Sequence, residues 1–329
     1  MNRRTYFSST TLLTFLCLLA TISIFLSIRE GSTHISFTHF INAIFNPQHS
    51  TDHIIIFDLR LPRTFVAFTT GGLLALAGAL MQTLLRNPLA DPYILGVSGG
   101  AAVATALGIL LGLSTAFLNL TAFLGSLLSI TLVMGISRSH KHLLPLRLLL
   151  TGVVVATGWA AIMSFILITS PDQNLRSILF WLIGDLSYAH FSIWEPIILL
   201  FGLVVSFILA KPLNILARGD LTARSLGINT HRLNLILFLL SSLLTALAVN
   251  MAGCIGFVGL IVPHMLRIVK NSDHRFVLPA SVLLGGSLLT LADTLSRVLI
   301  TPAQLPVGIV TAIIGVPTFI VVLQGCQER

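Results

Sequence analysis

The stretch TFVAFTTGGLLALAGALMQTL, residues 64–84, decides the architecture. It holds no charged residue and is long enough to cross a bilayer, because an α-helix needs about 20 mostly apolar residues to span roughly 30 Å of hydrocarbon. Arg60 and Arg63 precede it, and Arg86-Asn87-Pro88 follow it, so cations and a helix breaker bound the run. Similar runs recur outward in both directions. They predict helices at roughly 11–28, 64–84, 94–112, 115–136, 143–169, 191–209, 233–252, 256–269, 277–296 and 305–324. The gaps contain Asn87-Pro88, Asp91-Pro92, Pro145, Pro171-Asp172, Lys211-Pro212 and Thr301-Pro302. Proline lacks an amide hydrogen and disfavours helix in the residue before it.

The whole chain agrees with this stretch. Of 329 residues, 55% are hydrophobic and 9% are charged, with a mean hydropathy of +0.96. A soluble domain carries about 25% charged residues, so lipid is the solvent for most of this surface. The expected fold is an all-α integral membrane protein of about ten transmembrane helices, a single transmembrane domain over 1–329. Arg3-Arg4 followed by apolar residues resembles a secretory leader, but the run is long and no small-x-small cleavage site follows it, which predicts an uncleaved first helix.

The eighth segment, 256–269, is short for a crossing. Charge decides its reading. If it crosses and the N-terminus is cytoplasmic, fourteen Lys and Arg lie inside and five outside; if not, the counts are eleven and eight. The positive-inside rule favours ten crossings with both termini in the cytoplasm. The longest cytoplasmic loop is then 210–232. Within it Gly219 and Gly227 bracket a segment that can form a short helix, with Asp220 and Arg224 an i,i+4 pair on one face. In the third helix, Gly96-Val97-Ser98-Gly99-Gly100-Ala101-Ala102 is dense in small residues. These allow close backbone approach between helices in lipid.

Several functions are excluded. The formal charge of +8 does not indicate nucleic-acid binding, because the basic residues sit in the gaps between apolar runs. Cys17, Cys254 and Cys326 are far apart and lack metal-ligand spacing, so no cofactor or metal is expected. No His-Glu-x-x-His, Gly-x-Ser-x-Gly or Gly-x-x-x-x-Gly-Lys-Ser/Thr motif occurs. The chain is therefore read as a carrier or channel rather than an enzyme, and energy for uphill transport must come from another subunit. His264 is read as a satisfied packing or loop-orienting histidine rather than a ligand. Asp293 and Arg297, four apart, are read as a structural ion pair.

Six segments together resemble the permease family of vitamin B12 and iron–siderophore ABC importers. They are RLPR (60–63); GALMQ (78–82) with RNPLADP (86–92) and LGVSGGA (95–101); FWLIG (180–184); the loop around Asp220, Ala223 and Leu226-Gly227; AGCIGFVGLIVPHMLR (252–267) with DHR (273–275); and LPVGIVTA (305–312). The resemblance spans roughly 55–325 in the same order. It implies a ten-helix permease in the bacterial inner (plasma) membrane, working as a homodimer or beside a similar permease, with the path at the shared interface. Cytoplasmic ATP-binding subunits and a periplasmic binding protein are the implied partners. Arg60, Arg63 and Arg297 match external arginines that dock the binding protein, with anchoring of helix ends as the competing reading. Arg218, Gly219, Asp220, Ala223, Arg224, Leu226 and Gly227 match the loop that seats in the ATPase. Asn87 and Leu89 match a cytoplasmic gate, with a helix-capping turn as the competing reading. Two departures are Lys270-Asn271-Ser272 and Asp185. Ferric siderophores are the expected cargo as the commonest in the family, with vitamin B12 or haem as alternatives. A secondary transporter working alone is the rival class.

Overall fold

The computed structural model describes residues 8–33, 35–36, 41, 51–137, 145–187, 191–269, 273–300 and 303–327. Arg3, Arg4 and the departure at Lys270-Asn271-Ser272 lie outside the described residues. Among the described residues, the regular structure is entirely helical. The helices are α1 (Ser9–Arg29), α2 (Leu61–Leu85), α3 (Val97–Leu110), α4 (Thr115–Ser137), α5 (Pro145–Thr169), α6 (Asp172–Ile183), α7 (Trp194–Ile208), α8 (Ala210–Leu216), α9 (Asp220–Ser225), α10 (Thr230–Ala252), α11 (Val258–Val269), α12 (His274–Val298) and α13 (Val307–Gln327). A π-helical turn, Ile54–Arg60, leads into α2.

Each of the ten expected spans is present as a helix, displaced by a few residues at the ends. Helices α1, α2, α4, α5, α10 and α12 are long and apolar enough to cross a membrane alone. The α7–α8 pair qualifies together, although it bends by 59° at Leu209. Helices α3 and α11 are shorter.

Helix α11 has twelve residues, about 18 Å at 1.5 Å per residue. That is well under the hydrocarbon thickness. Non-helical backbone extends it on the N-terminal side, which membrane depth tolerates only where protein supplies the hydrogen bonds. Here it does: Ile255 donates its amide to Tyr93 Oη at 3.1 Å, and the same hydroxyl donates to Ile255 O at 3.1 Å. Asp185 donates its amide to Ala252 O at 3.0 Å.

Helix α2 is the axis of the fold. In its most apolar stretch 89% of residues are buried within the protein, against 22% for α1 and α5, which face outward. Helices α10, α11 and α12 surround it. Glycines permit this: a Cβ on Gly78 would overlap the carbonyl oxygen of Gly259 in α11. The small-residue stretch of α3 acts in the same way, with Gly100 against the Gly125 carbonyl of α4. Close backbone approach through small residues replaces the hydrophobic drive that lipid abolishes.

Helix α6 occupies a segment expected to be loop. Its twelve residues include Asp172, Gln173, Asn174 and Arg176, too short and polar for a span. It lies on the protein through Ile178, packed on Val103, Ala106, Met163 and Ile166.

Candidate functional site

Two regions hold the residues singled out in the sequence. The first is a polar end of the bundle, where α2 finishes and the α7–α10 connection turns. Gly219 (φ 122°) and Gly227 (φ 79°) take backbone conformations that side chains resist. Between them α9 forms, as their placement predicted. Ala223 is fully buried and anchors the helix, whereas Leu221 and Leu226 are 83% and 63% exposed. A six-residue helix with Leu221 in the open and Leu226 open at its C-cap gains little from its own packing. Charges position it instead. Asp220 receives Arg224 Nη2 at 2.7 Å and Arg86 Nη2 at 3.2 Å. Arg224 Nε also donates to Thr230 Oγ1 at 3.1 Å, tying α9 to the first turn of α10. These groups are partly exposed, and such pairs contribute at most about 1 kcal/mol each. They orient rather than stabilise. Arg218 is exposed at the entrance to the turn.

Arg86 was not singled out as a site residue in the sequence. It closes α2 with a left-handed backbone (φ 50°), and its guanidinium bridges to α9 across 134 residues of chain. Its place directly before Asn87 was the only available signal. Asn87 and Leu89 follow as a tight turn: Asn87 Oδ1 accepts from Leu89 N at 2.9 Å, and Asn87 donates its amide to Gln82 O at 3.2 Å. These are the bonds of a capping turn. Leu89 is 40% exposed. Arg86 thus lies between the Asn87–Leu89 turn, which follows it in the chain, and α9, whose Asp220 it bonds.

The second region holds the three arginines matched to binding-protein docking. Arg60, Arg63 and Arg297 are 5%, 9% and 4% exposed. Arg60 donates to the carbonyls of Ile28 at 3.2 Å and of Arg29, and to Thr33 O at 2.5 Å. Arg63 grips Asp293 through Nε (3.0 Å) and Nη2 (2.8 Å), and Gln304 Oε1 through Nη1 (2.8 Å). Arg297 Nε lies 3.1 Å from Asp293 Oδ2, and its Nη2 donates to Ser27 Oγ at 2.7 Å. Asp293 has no exposure at all. The Asp293–Arg297 pair is therefore present as expected, with Arg63 as a third member. A guanidinium in an apolar bundle must find acceptors inside it, so these cations turn inward to one carboxylate and to free carbonyls.

His264 differs from expectation. It is 6% exposed, and among the described residues neither ring nitrogen has a hydrogen-bond partner. Asp185 accepts from Ser187 N at 2.9 Å and Ser187 Oγ at 2.7 Å, which makes it a turn residue. Among the described residues no three His, Cys, Asp or Glu side chains gather as a metal site. A cavity of about 190 Å³ opens among α11, α12 and α13, lined by Phe257, Ile261, Met265, Leu288, Ile314 and Thr318. It is apolar and smaller than the roughly 300–1,000 Å³ pockets that hold drug-sized ligands, so it is not a binding chamber for a large chelate.

The sequence profile of the FecCD transport family matches residues 18–325. A cobalamin import system permease protein, BtuC of Halobacterium salinarum, is 39% identical over 285 residues, covering 85% of this chain and 76% of its own. The hemin transport system permease protein HmuU of Yersinia pestis is 38% identical, covering 97% of each chain. The iron(3+)-hydroxamate import system permease protein FhuB of Bacillus subtilis is 39% identical over 96% of this chain and 83% of its own. Among solved structures, an inward-facing metal-chelate type ABC transporter superposes with a TM-score of 0.83 at 31% identity, covering 96% of this chain and 99% of that one.

Proposed function

This chain belongs to the FecCD transport family and is a multi-pass permease subunit of an ABC importer of metal chelates; we propose that it carries a ferric siderophore, driven by separate ATPase subunits that seat on α9. In this reading both termini and the α7–α10 connection face the cytoplasm of the cell whose plasma membrane holds the protein, as the fourteen-to-five distribution of Lys and Arg favours. A second copy of the chain completes the transport path. A soluble binding protein delivers cargo on the opposite side.

One observation supports the energy-coupling reading above all. Leu221 and Leu226 stand exposed on a short helix whose backbone is bracketed by two left-handed glycines and oriented by Arg86, Asp220 and Arg224. Exposed leucines on a preset helix suit insertion into a cleft of a protein partner. The chain has no phosphate-binding loop of its own, so the partner must bring ATP. The siderophore assignment rests on the frequency of that cargo in the family. The names of the relatives span cobalamin, hemin, iron(3+)-hydroxamate and Fe(3+) dicitrate.

The test is reconstitution. The permease, purified with its ATPase and placed in vesicles with its binding protein, should accumulate a labelled ferric siderophore only when ATP is supplied. Labelled cobalamin and haem, tested alongside, would transfer the cargo assignment if either is taken up instead. Accumulation driven by a proton gradient without nucleotide would overturn the coupling reading.

A further inference from the structure

The last turn of α2 carries two buried polar side chains, Gln82 and Thr83. Both are engaged. Gln82 Nε2 donates to Leu260 O in α11 at 2.9 Å, and its Oε1 accepts from Arg267 Nη1 at 2.5 Å. Arg267 Nη2 also reaches Ala79 O (3.1 Å) and Thr83 Oγ1 (3.2 Å). These acceptors of the half-buried cation are all neutral.

From Thr83 the contacts continue in one line. Thr83 Oγ1 lies 2.8 Å from His274 Nε2, and His274 Nδ1 lies 2.7 Å from Asn214 Oδ1. Asn214 Oδ1 also accepts the His274 backbone amide at 2.9 Å, and Asn214 Nδ2 donates to Asp273 Oδ1 at 2.8 Å. An amide oxygen cannot donate, so His274 Nδ1 donates to Asn214 Oδ1, while the single Thr83 hydroxyl proton has two acceptors in reach, Ala79 O at 2.8 Å and His274 Nε2. Thr83 Oγ1 in turn accepts from Arg267. The line starts on a guanidinium, passes through hydroxyl, imidazole and amide, and ends on a carboxylate.

This line joins α11, α2, α12 and α8. Near its far end, Asn214 lies on α8, which leads into α9, and Arg86, in the next turn after Thr83, holds Asp220 of α9. Asn87 and Leu89 come directly afterwards. We infer that Arg267, Thr83, His274 and Asn214 form a polar strut that carries displacement of the α8–α9 segment to the end of α2 and to α11, making them positioning residues for transport coupling. This rests on the reading of α9 as the ATPase seat. Each link is a side-chain pair between two different helices, so the helices move together while the line is intact. Gln82 fastens α11 at the other end.

The experiment uses the assembled importer in vesicles and reads cargo taken up per ATP hydrolysed, with ATPase rate and thermal midpoint measured on the same samples. Thr83→Val keeps the shape of the side chain and removes the central hydroxyl. His274→Phe and Asn214→Leu break neighbouring links. Each should lower uptake per ATP about ten-fold, the range of typical coupling energies, while the ATPase rate stays within about two-fold. Joining Thr83→Val to His274→Phe should cost no more than either alone, since one broken link opens the line. If Thr83→Val leaves uptake per ATP unchanged, the strut is refuted. If it lowers uptake and ATPase rate in the same proportion along with the thermal midpoint, the residues serve folding only and the inference also fails. A wild-type complex without ATP-dependent uptake would instead refute the importer reading beneath it.

Discussion

Replacing Asp293 with Asn tests the buried charge centre directly. The carboxylate has no exposure, and its partners Arg63 and Arg297 have side chains 11% and 4% exposed. Asn keeps the shape and removes the charge. Two guanidiniums then face each other beside a neutral amide, in a place water does not reach. Because the pair is buried, screening does not soften the loss, and removing one partner of a buried pair costs about 3–5 kcal/mol. At about 2–4 °C of thermal midpoint per kcal/mol for a domain of 150–250 residues, and less for a longer chain, the midpoint in detergent should fall by roughly 5–10 °C. A compensated variant sharpens the test. Arg63→Met and Arg297→Met added to Asp293→Leu remove all three charges, and such replacement of a buried ionic cluster is often neutral or stabilising. It should recover most of the lost midpoint. If Asp293→Asn melts within about 1 °C of wild type, the carboxylate is not the internal anchor of these arginines. Their cations would then be free for a partner, and the docking role that burial argues against would return.

Four further outcomes follow from the same contacts. Leu221→Asp and Leu226→Asp should abolish co-purification of the ATPase while shifting stability by no more than about 0.5 kcal/mol, since both side chains are exposed; retained capture in pull-down counts against the α9 seat. Asp220→Asn should reduce uptake per ATP, because it releases Arg86 and Arg224 together, and unchanged uptake would refute the orienting role. Gly78→Ala should sharply lower the yield of folded protein by size exclusion, as its Cβ meets the Gly259 carbonyl, a backbone atom that cannot rotate away. The Asp273 carboxyl is held below its ordinary value, first by the hydrogen bond from Asn214 and also by the Arg275 amide and charge. A depressed acid stabilises fully above its unfolded value of about 3.9 and loses that contribution as pH falls through the folded one. The stability gap between wild type and Asp273→Asn should stay constant from about pH 7 to 5 and close only below about 4; closure already between 7 and 5 would refute the assignment.

The helices and the buried contacts were legible to different degrees. All ten apolar spans could be placed because hydrophobic length is a local property of consecutive residues. The α9 turn was legible for a similar reason, since Gly219 and Gly227 mark positions where the chain must take positive φ. Helix α6 was not, because Asp172, Gln173, Asn174 and Arg176 make it too polar to register as a span, and only its seat on Met163 and Ile166 reveals it. Asp293–Arg297 was readable at i,i+4, whereas Arg63, 230 residues away, was not.

From its amino acids alone, then, this chain is destined for lipid, is divided into apolar helices by prolines and basic gaps, and carries the motifs of a metal-chelate importer permease. Tertiary structure decided where the charges go. Arg60, Arg63 and Arg297 resemble external docking groups until α1, α2 and α12 close around them, and Arg86 means nothing until α9 arrives beside it. The reason is physical: hydrophobicity acts through neighbouring residues and can be summed along a chain, whereas an ion or hydrogen bond in an apolar bundle depends on which distant helix supplies its partner.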